Sequence, residues 1–290
     1  MGTSYSSRQR SLVDAMSAFA VATPERVFSN GASLSRLPVD EEAPTVFVVP
    51  AFNEQDNLPR LLRDLEGRPD IFKLGSRVII VDDGSTDGTA ELAERYDGPL
   101  TVDVVRLGEN RGPGAAFRAG FEAALAGIDD EALVVTIEAD TTSDLDALPL
   151  MLERARRDAD LVLASVHGGG RMINVGFIRR TLSRCAGTVV RLALGIDART
   201  VSSFFRVYRA SLLRAGTAHF GDDLIRERGF ACKAELLAKL SALGARVEEV
   251  PVDLDASRRV GDSKMRVGET LAGYWRLVAR ARFTKGSASA

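Results

Sequence analysis

The sequence predicts an open, doubly wound α/β fold: a mostly parallel sheet flanked by helices on both faces. Three observations carry that expectation. Short apolar, β-branched runs recur at "TVFVVP" (45–50), "RVIIVDD" (77–83), "VDVVRL" (102–107) and "LVVTIEAD" (133–140), the composition of strands buried on both faces. Helical patterns separate them at "NLPRLLRDLEG" (57–67), "TAELAERY" (89–96) and "GAAFRAGFEAALAG" (114–127). Their regular alternation implies βαβ units around a parallel sheet.

Taken in order, residues 1–43 are rich in Ser and small residues, with one weak amphipathic pattern near 11–21. They are expected to form an extension, mobile or packed on the outside. The domain itself is expected over 44–265, followed at 266–290 by a basic amphipathic helix and tail. From 258 onward, Arg258, Arg259, Lys264, Arg266, Arg276, Arg280, Arg282 and Lys285 stand against only Asp262 and Glu269. Aromatics in that segment, Tyr274, Trp275 and Phe283, fit either a helix lying on an anionic membrane surface or one packed on the domain.

Composition narrows the function. The 290 residues, 45% hydrophobic and 27% charged, suit one large soluble domain. A net charge of -2 gives no footprint for nucleic acid. Cys185 and Cys232 are the only cysteines and belong to no metal spacing, so a reducing, cytoplasmic compartment is expected. His167 and His219 are too far apart in sequence to suggest zinc. No run reaches the ~18 apolar residues of a membrane span, and Asp14 interrupts the apolar stretch nearest the N-terminus.

In open α/β sheets, ligands bind beyond the carboxyl ends of the strands. The first strand ends at Pro50, Asn53 and Glu54, the second at Asp82 and Asp83, and the fourth at Glu138 and Asp140. So much like charge at one edge calls for a cation or hydrogen-bond donors there. Asp87 or Ser85 alone reads as a cap for the helix starting near Thr89. Glu138 and Asp140 stand at i and i+2, so on an extended segment they leave by one face and can share one hard divalent ion, Mg²⁺ or Mn²⁺, completed by substrate phosphates. In isolation, such a pair is simply two solvated acids.

Six ordered motifs, "VFVVPAFNE", "IIVDDGSTDGT", "NRGPGAAFRAGF", "EAD", "SSFFRVYR" and "RRVGDSKM", resemble family 2 glycosyltransferases over about residues 45–266. The likeness is greatest to the dolichol- or polyprenyl-phosphate mannosyltransferase-like branch. The resemblance implies a GT-A fold, in which a Rossmann-like nucleotide-binding sheet is joined to an acceptor half. It implies that Pro50, Phe52 and Glu54 line the nucleotide pocket, that Asp83 accepts a base N–H, and that Asp82 braces the loop. Asn110, Arg111, Gly112 and Gly114 would pack under the donor. Glu138 and Asp140 would hold the metal on the diphosphate, while Arg258 and Lys264 would neutralise the leaving group of an inverting transfer.

Departures fall mainly on the acceptor side. Glu138 replaces the usual first Asp, Thr142 a frequent Gln, Val166 a phosphate-binding Arg that Arg171 would have to replace, and Phe204 a glycine. By resemblance the acceptor is a polyprenyl phosphate held by Ser203 and Arg206, reached through peripheral membrane contact or a membrane partner. A phosphate is already anionic and needs no general base. Two other readings stay open. In one, the same nucleotide-sugar donor serves a soluble hydroxyl acceptor, with Asp222 or Asp223 as base. In the other, the chain is a nucleotide-sugar-binding scaffold without turnover.

Overall fold

The computed structural model describes residues 38–174, 187–261 and 267–286. Its strands are β1 (Thr45–Ala51), β2 (Arg77–Asp82), β3 (Val102–Arg106), β4 (Leu133–Thr136), β5 (Leu161–Ser165), β6 (Met172–Ile173), β7 (Arg206–Arg209), β8 (Val247–Pro251) and β9 (Leu254–Asp255). Seven of them form one sheet in the order β3-β2-β1-β4-β7-β5-β8, while β6 and β9 pair separately. All neighbours in the large sheet are parallel except β7, which runs antiparallel to both β4 and β5.

The strand pattern makes two cores. Because alternate side chains leave by opposite faces, Val46, Val48, Ile79 and Val81 join one apolar cluster and Phe47, Val49, Val78 and Ile80 the other. The first is covered by α3 (Pro113–Leu125), α5 (Ala210–Phe220) and α6 (Cys232–Ala242), through Phe117, Phe121, Leu212, Leu213, Leu236 and Leu240. The second lies under α1 (Leu58–Glu66) and α4 (Leu148–Arg157). In α1, Leu58, Leu61, Leu62 and Leu65 give the i, i+3, i+4, i+7 stripe of a half-buried helix. The remaining helices are α2 (Thr89–Glu94) and α7 (Val267–Gly286), with a further helical run at 187–194.

Two sequence expectations are corrected. β3 is not buried on both faces: it is the sheet edge, with Asp103 and Arg106 exposed and its valines half-buried. The apolar run before the acid pair stops being a strand at Thr136, since Ala139 and Asp140 already lie in a turn. Of the extension, the described residues 38–43 pack on the domain through buried Val39, whose amide donates to the Arg156 carbonyl at 2.7 Å. Residues 1–37 lie outside the description.

The chain steps outward from β1 to β2 to β3, then crosses back to place β4 on the other side of β1. Between the carboxyl ends of β1 and β4 is therefore the switch point where such sheets take their ligands.

Candidate active site

Loops after β1 and β2 are knitted to each other. Asn53 sits at φ +54°, a conformation Asn tolerates better than most residues. Its amide donates to Ser85 Oγ at 2.9 Å, and its Oδ1 accepts the Thr86 amide at 2.8 Å. The Glu54 amide donates to Thr89 Oγ1 at 2.8 Å, and Asp87 takes the Thr89 amide at 3.0 Å, the helix-start role foreseen for it. These bonds leave Pro50 and Phe52 half-buried on the rim. Glu54 is buried, with Oε2 accepting Asn57 Nδ2 at 2.7 Å.

Asp82 does brace its loop, accepting the Ser85 amide at 3.1 Å. Asp83 accepts the amides of Arg111 and Gly112, at 2.7 and 2.9 Å, one on each carboxylate oxygen. A carboxylate has about four acceptor sites, so two bonds do not saturate it. Burial pushes its pKa above the ordinary value, against the two amides that hold it down. Gly112 (φ +85°) and Gly114 lie against the 227–228 backbone: a Cβ on either would stand 2.6 Å from the Arg228 oxygen or 2.0 Å from the Glu227 oxygen. Close approach thus accounts for both glycines.

After β4, Glu138 is half-buried and Asp140 buried. Thr141 takes φ +61°, which turns the chain sharply. Asp140 Oδ1 accepts the Thr142 amide at 3.0 Å and the Thr142 hydroxyl at 2.7 Å. Its Oδ2 is paired with the Arg259 guanidinium. Both acids are oxygen donors of the kind a hard divalent ion takes, and Asp140 Oδ2 here meets a cationic group, the Arg259 guanidinium.

Arg259 comes from the segment after β9, which is pinned across the switch point. Val260 and Asn57 exchange two hydrogen bonds, at 2.9 and 3.0 Å. The Arg258 carbonyl accepts Arg60 Nη1 and Thr141 Oγ1, both at 3.0 Å. The Arg258 side chain turns away to Asp64 of α1, 3.3 Å distant. Of the two cations expected at the leaving group, then, Arg258 is brought near by its backbone only, and Lys264 lies outside the described residues. Arg259, which sequence reading counted merely among the C-terminal bases, is the one on the acid. No spacing rule would have chosen it over its neighbour.

The acceptor half shows a similar exchange. Ser203 Oγ accepts the Phe205 amide at 3.2 Å and so shapes its own turn. Arg206, expected to hold the acceptor phosphate, is instead fully buried. It donates to the carbonyls of Lys233 (3.0 Å) and Val201 (3.1 Å), because its place on β7, between two sheet neighbours, points it into the core. The cation that does reach this region is Lys233, at the start of α6. Its Nζ stands 3.8 Å from the centroid of the Phe204 ring and 5.2 Å from that of Phe230. Burial lowers its pKa to about 8, while the charge of Glu138 opposes that shift. Sequence reading missed it. The available signal was "GFACK", a lysine where an amphipathic helix begins its buried face.

Other candidates are engaged elsewhere. Arg171 is paired with Asp253 at 2.7 Å, far more a strut than a free phosphate ligand. Arg226 pairs with Asp223 and holds that carboxyl below its usual pKa, which weakens it as a base. Glu227 is buried and takes Arg276 (2.7 Å) and Arg280 (2.9 Å) of α7. With Tyr274, Leu277 and Val278 also buried, α7 is packed on the domain, one of the two arrangements open to it.

Comparison with known proteins bears on the family and the fold. Residues 46–217 match the model of glycosyl transferase family 2. An undecaprenyl-phosphate mannosyltransferase of Micrococcus luteus is 34% identical over 80% of this chain and 94% of its own. A polyprenol monophosphomannose synthase of Mycolicibacterium smegmatis is 30% identical over 76% and 80%. Among solved structures, glucosyl-3-phosphoglycerate synthase from Mycobacterium tuberculosis, in complex with Mn²⁺, UDP and glucosyl-3-phosphoglycerate, superposes with a TM-score of 0.54. It is 19% identical and covers 83% of this chain and 79% of its own, a likeness of fold. With its GT-A sheet and acids at the switch point, this chain belongs to glycosyl transferase family 2 and is a glycosyltransferase.

Proposed function

We propose that the protein transfers a sugar, with inversion, from a nucleotide diphosphate sugar (GDP-mannose or a UDP-hexose) to a polyprenyl phosphate. The observation that carries this reading is the Glu138 and Asp140 pair at the switch point, in a chain that matches an undecaprenyl-phosphate mannosyltransferase and a polyprenol monophosphomannose synthase over most of their length. Pro50, Phe52 and Asp83 line the base side of the pocket, with Glu54 tying the loop behind them. Glu138 and Asp140 would hold Mg²⁺ or Mn²⁺, which when bound supplies positive charge against the departing diphosphate. Arg259 adds a cationic side chain at Asp140.

A phosphate acceptor is favoured over a hydroxyl in part by the state of one downstream acid, Asp223. A hydroxyl needs a base, and Asp223, held by Arg226, is a poor one. Ser203 and Arg206 then brace the segment around Phe204 from within.

The test is transfer of labelled sugar from each donor, with Mn²⁺, to polyprenyl phosphate, polyprenol and a small alcohol. Label should move to the phosphate alone. Transfer to the alcohols would instead favour the hydroxyl reading, and donor binding with neither transfer nor donor hydrolysis would favour the scaffold.

Access to a lipid follows from α7. No helix among the described residues is long and apolar enough to cross a membrane. Yet Val267, Leu271 and Trp275, spaced i, i+4, i+8, are 43%, 37% and 69% exposed along the flank of the packed face. This stripe is our proposed peripheral membrane contact. The double variant Leu271→Ser, Trp275→Ser should float with anionic phospholipid vesicles several-fold less than wild type, its melting temperature little changed. Equal flotation would remove α7 from the contact.

A further inference from the structure

We propose that Glu227, clasped by Arg276 and Arg280, positions the nucleotide loop, so that α7 sets the affinity of the site for its donor as well as the stability of the domain. The inference rests on the reading of Asp83 as the residue that meets the base, and adds positioning residues far from that pocket in the chain.

The path from α7 to Asp83 runs through contacts with little room to give. Each carboxylate oxygen of Asp83 takes one amide of the 111–112 segment. The next residue, Gly84 (φ +72°), packs on the same stretch, where a Cβ would stand 2.3 Å from the Glu109 carbonyl carbon. Gly112 and Gly114 lie in turn on the 227–228 backbone, and the Gly114 amide donates to the Arg228 carbonyl at 2.8 Å. Backbone packed this closely transmits a shift instead of absorbing it.

The 227–228 segment is itself held from two sides. From α6, Glu235 Oε2 accepts the amides of Arg226 and Glu227, at 2.8 and 2.7 Å. From α7, Arg276 Nη2 and Arg280 Nη1 donate to Glu227 Oε2 and Oε1, at 2.7 and 2.9 Å. The Glu227 side chain is 2% exposed, and a buried charge stripped of its partners is strongly unfavourable. Its carboxylate therefore follows α7. The helix is also seated at one depth, because a Cβ on Gly273 would stand 2.7 Å from Ala231 Cβ and 3.3 Å from Glu227 Oε2. Glycine in a helix interior is unfavourable by itself. Close approach to this segment accounts for it.

The test is calorimetric titration of GDP and UDP, with Mn²⁺, into the full chain well below its melting temperature. It is run on wild type, Arg276→Gln, the double variant Arg276→Gln, Arg280→Gln, and the double variant Arg276→Lys, Arg280→Lys, with kcat and both KM values measured on the same proteins. The double Gln variant should bind the nucleotide about ten-fold more weakly, a usual size for coupling between sites. Its donor KM should rise to match, with kcat and acceptor KM within about three-fold of wild type. The Lys pair keeps the charge that Glu227 faces and should recover most of the affinity. Arg276 is 53% exposed, and Arg276→Gln leaves Arg280 on Glu227. This single variant answers the question, with about a three-fold loss, even if the double one does not fold. Wild-type nucleotide affinity in Gln variants that melt earlier, or equal losses in kcat and both KM values, would overturn the positioning role and leave a clamp for α7. Failure of wild type to bind either nucleotide would overturn the donor reading, and this inference with it.

Discussion

Replacing Asp140 by Asn is expected to lower kcat/KM for sugar transfer by about 10²- to 10³-fold, the usual loss when a preorganised electrostatic group at a developing charge is removed. Asn is the informative substitution. Its side-chain oxygen can still accept the Thr142 amide and hydroxyl that Asp140 Oδ1 now takes, so the turn at 139–142 keeps its bonds. What disappears is the negative charge that Arg259 faces and that an ion would need. Ala would confound the two effects, because it also leaves a buried amide and hydroxyl without acceptors, at about 1–3 kcal/mol each. The comparison is therefore steady-state kinetics of Asp140→Asn at fixed Mn²⁺, beside its melting temperature. A native melting temperature with activity within about three-fold of wild type would remove Asp140 from the catalytic machinery.

The largest expected stability effect comes from Gly114→Ala. A Cβ there would lie 2.0 Å from the Glu227 carbonyl oxygen and 3.0 Å from its carbon, and both are backbone atoms that cannot rotate aside. The Gly114 amide also donates to the Arg228 carbonyl at 2.8 Å, so the two chains cannot part without breaking that bond. We expect a loss of about 3 kcal/mol, at the upper end of what overpacking costs. Glu227 anchors Arg276 and Arg280, so pushing the 227–228 segment away should also loosen α7. Gly127→Ala is the control. That glycine has φ +78° but nothing within 4 Å of its Cβ position, so only backbone strain applies, about 1 kcal/mol. Urea unfolding of the two variants would separate them, and a Gly114→Ala chain as stable as Gly127→Ala would refute the close-packing account.

The two substitutions bear on different halves of the same design. Asp140 stands at the switch point because of a tight turn after β4. Gly114 works because α3 must start directly beneath the segment that carries Glu227. The fold thus relies on a close backbone approach at the start of α3.

Much was legible from residue order alone. The alternating runs foretold β1, β2, β3 and β4 and the helices between them, because buried parallel strands need continuous apolar sequence and crossover helices need a stripe. Acids at strand ends foretold an acidic edge, because in a parallel sheet consecutive strands end on the same edge. The pairing of Asp87 with the start of α2, and the close approach explaining Gly112 and Gly114, were also readable as local chemistry. The edge position of β3 was not, since lateral order depends on which strands pair and its own composition is that of an interior strand.

Neighbouring residues with the same chemistry were separated only in three dimensions. Arg258 and Arg259 look alike in sequence, yet one reaches Asp64 of α1 and the other Asp140, because hydrogen bonds to Asn57 and Arg60, about two hundred residues earlier, set the direction of each side chain. Arg206 leaves its expected place, and Lys233 arrives unforeseen, for the same reason. A strand between two neighbours buries Arg206, while the first turn of α6 lays Lys233 on Phe204. Sequence by itself determined the family, the layered fold and the acidic edge, because these follow from periodicity and from side chains at the ends of elements. Tertiary structure decided which cation meets which acid, because that depends on contacts between segments far apart in the chain, where a rotation of one residue reverses the outcome.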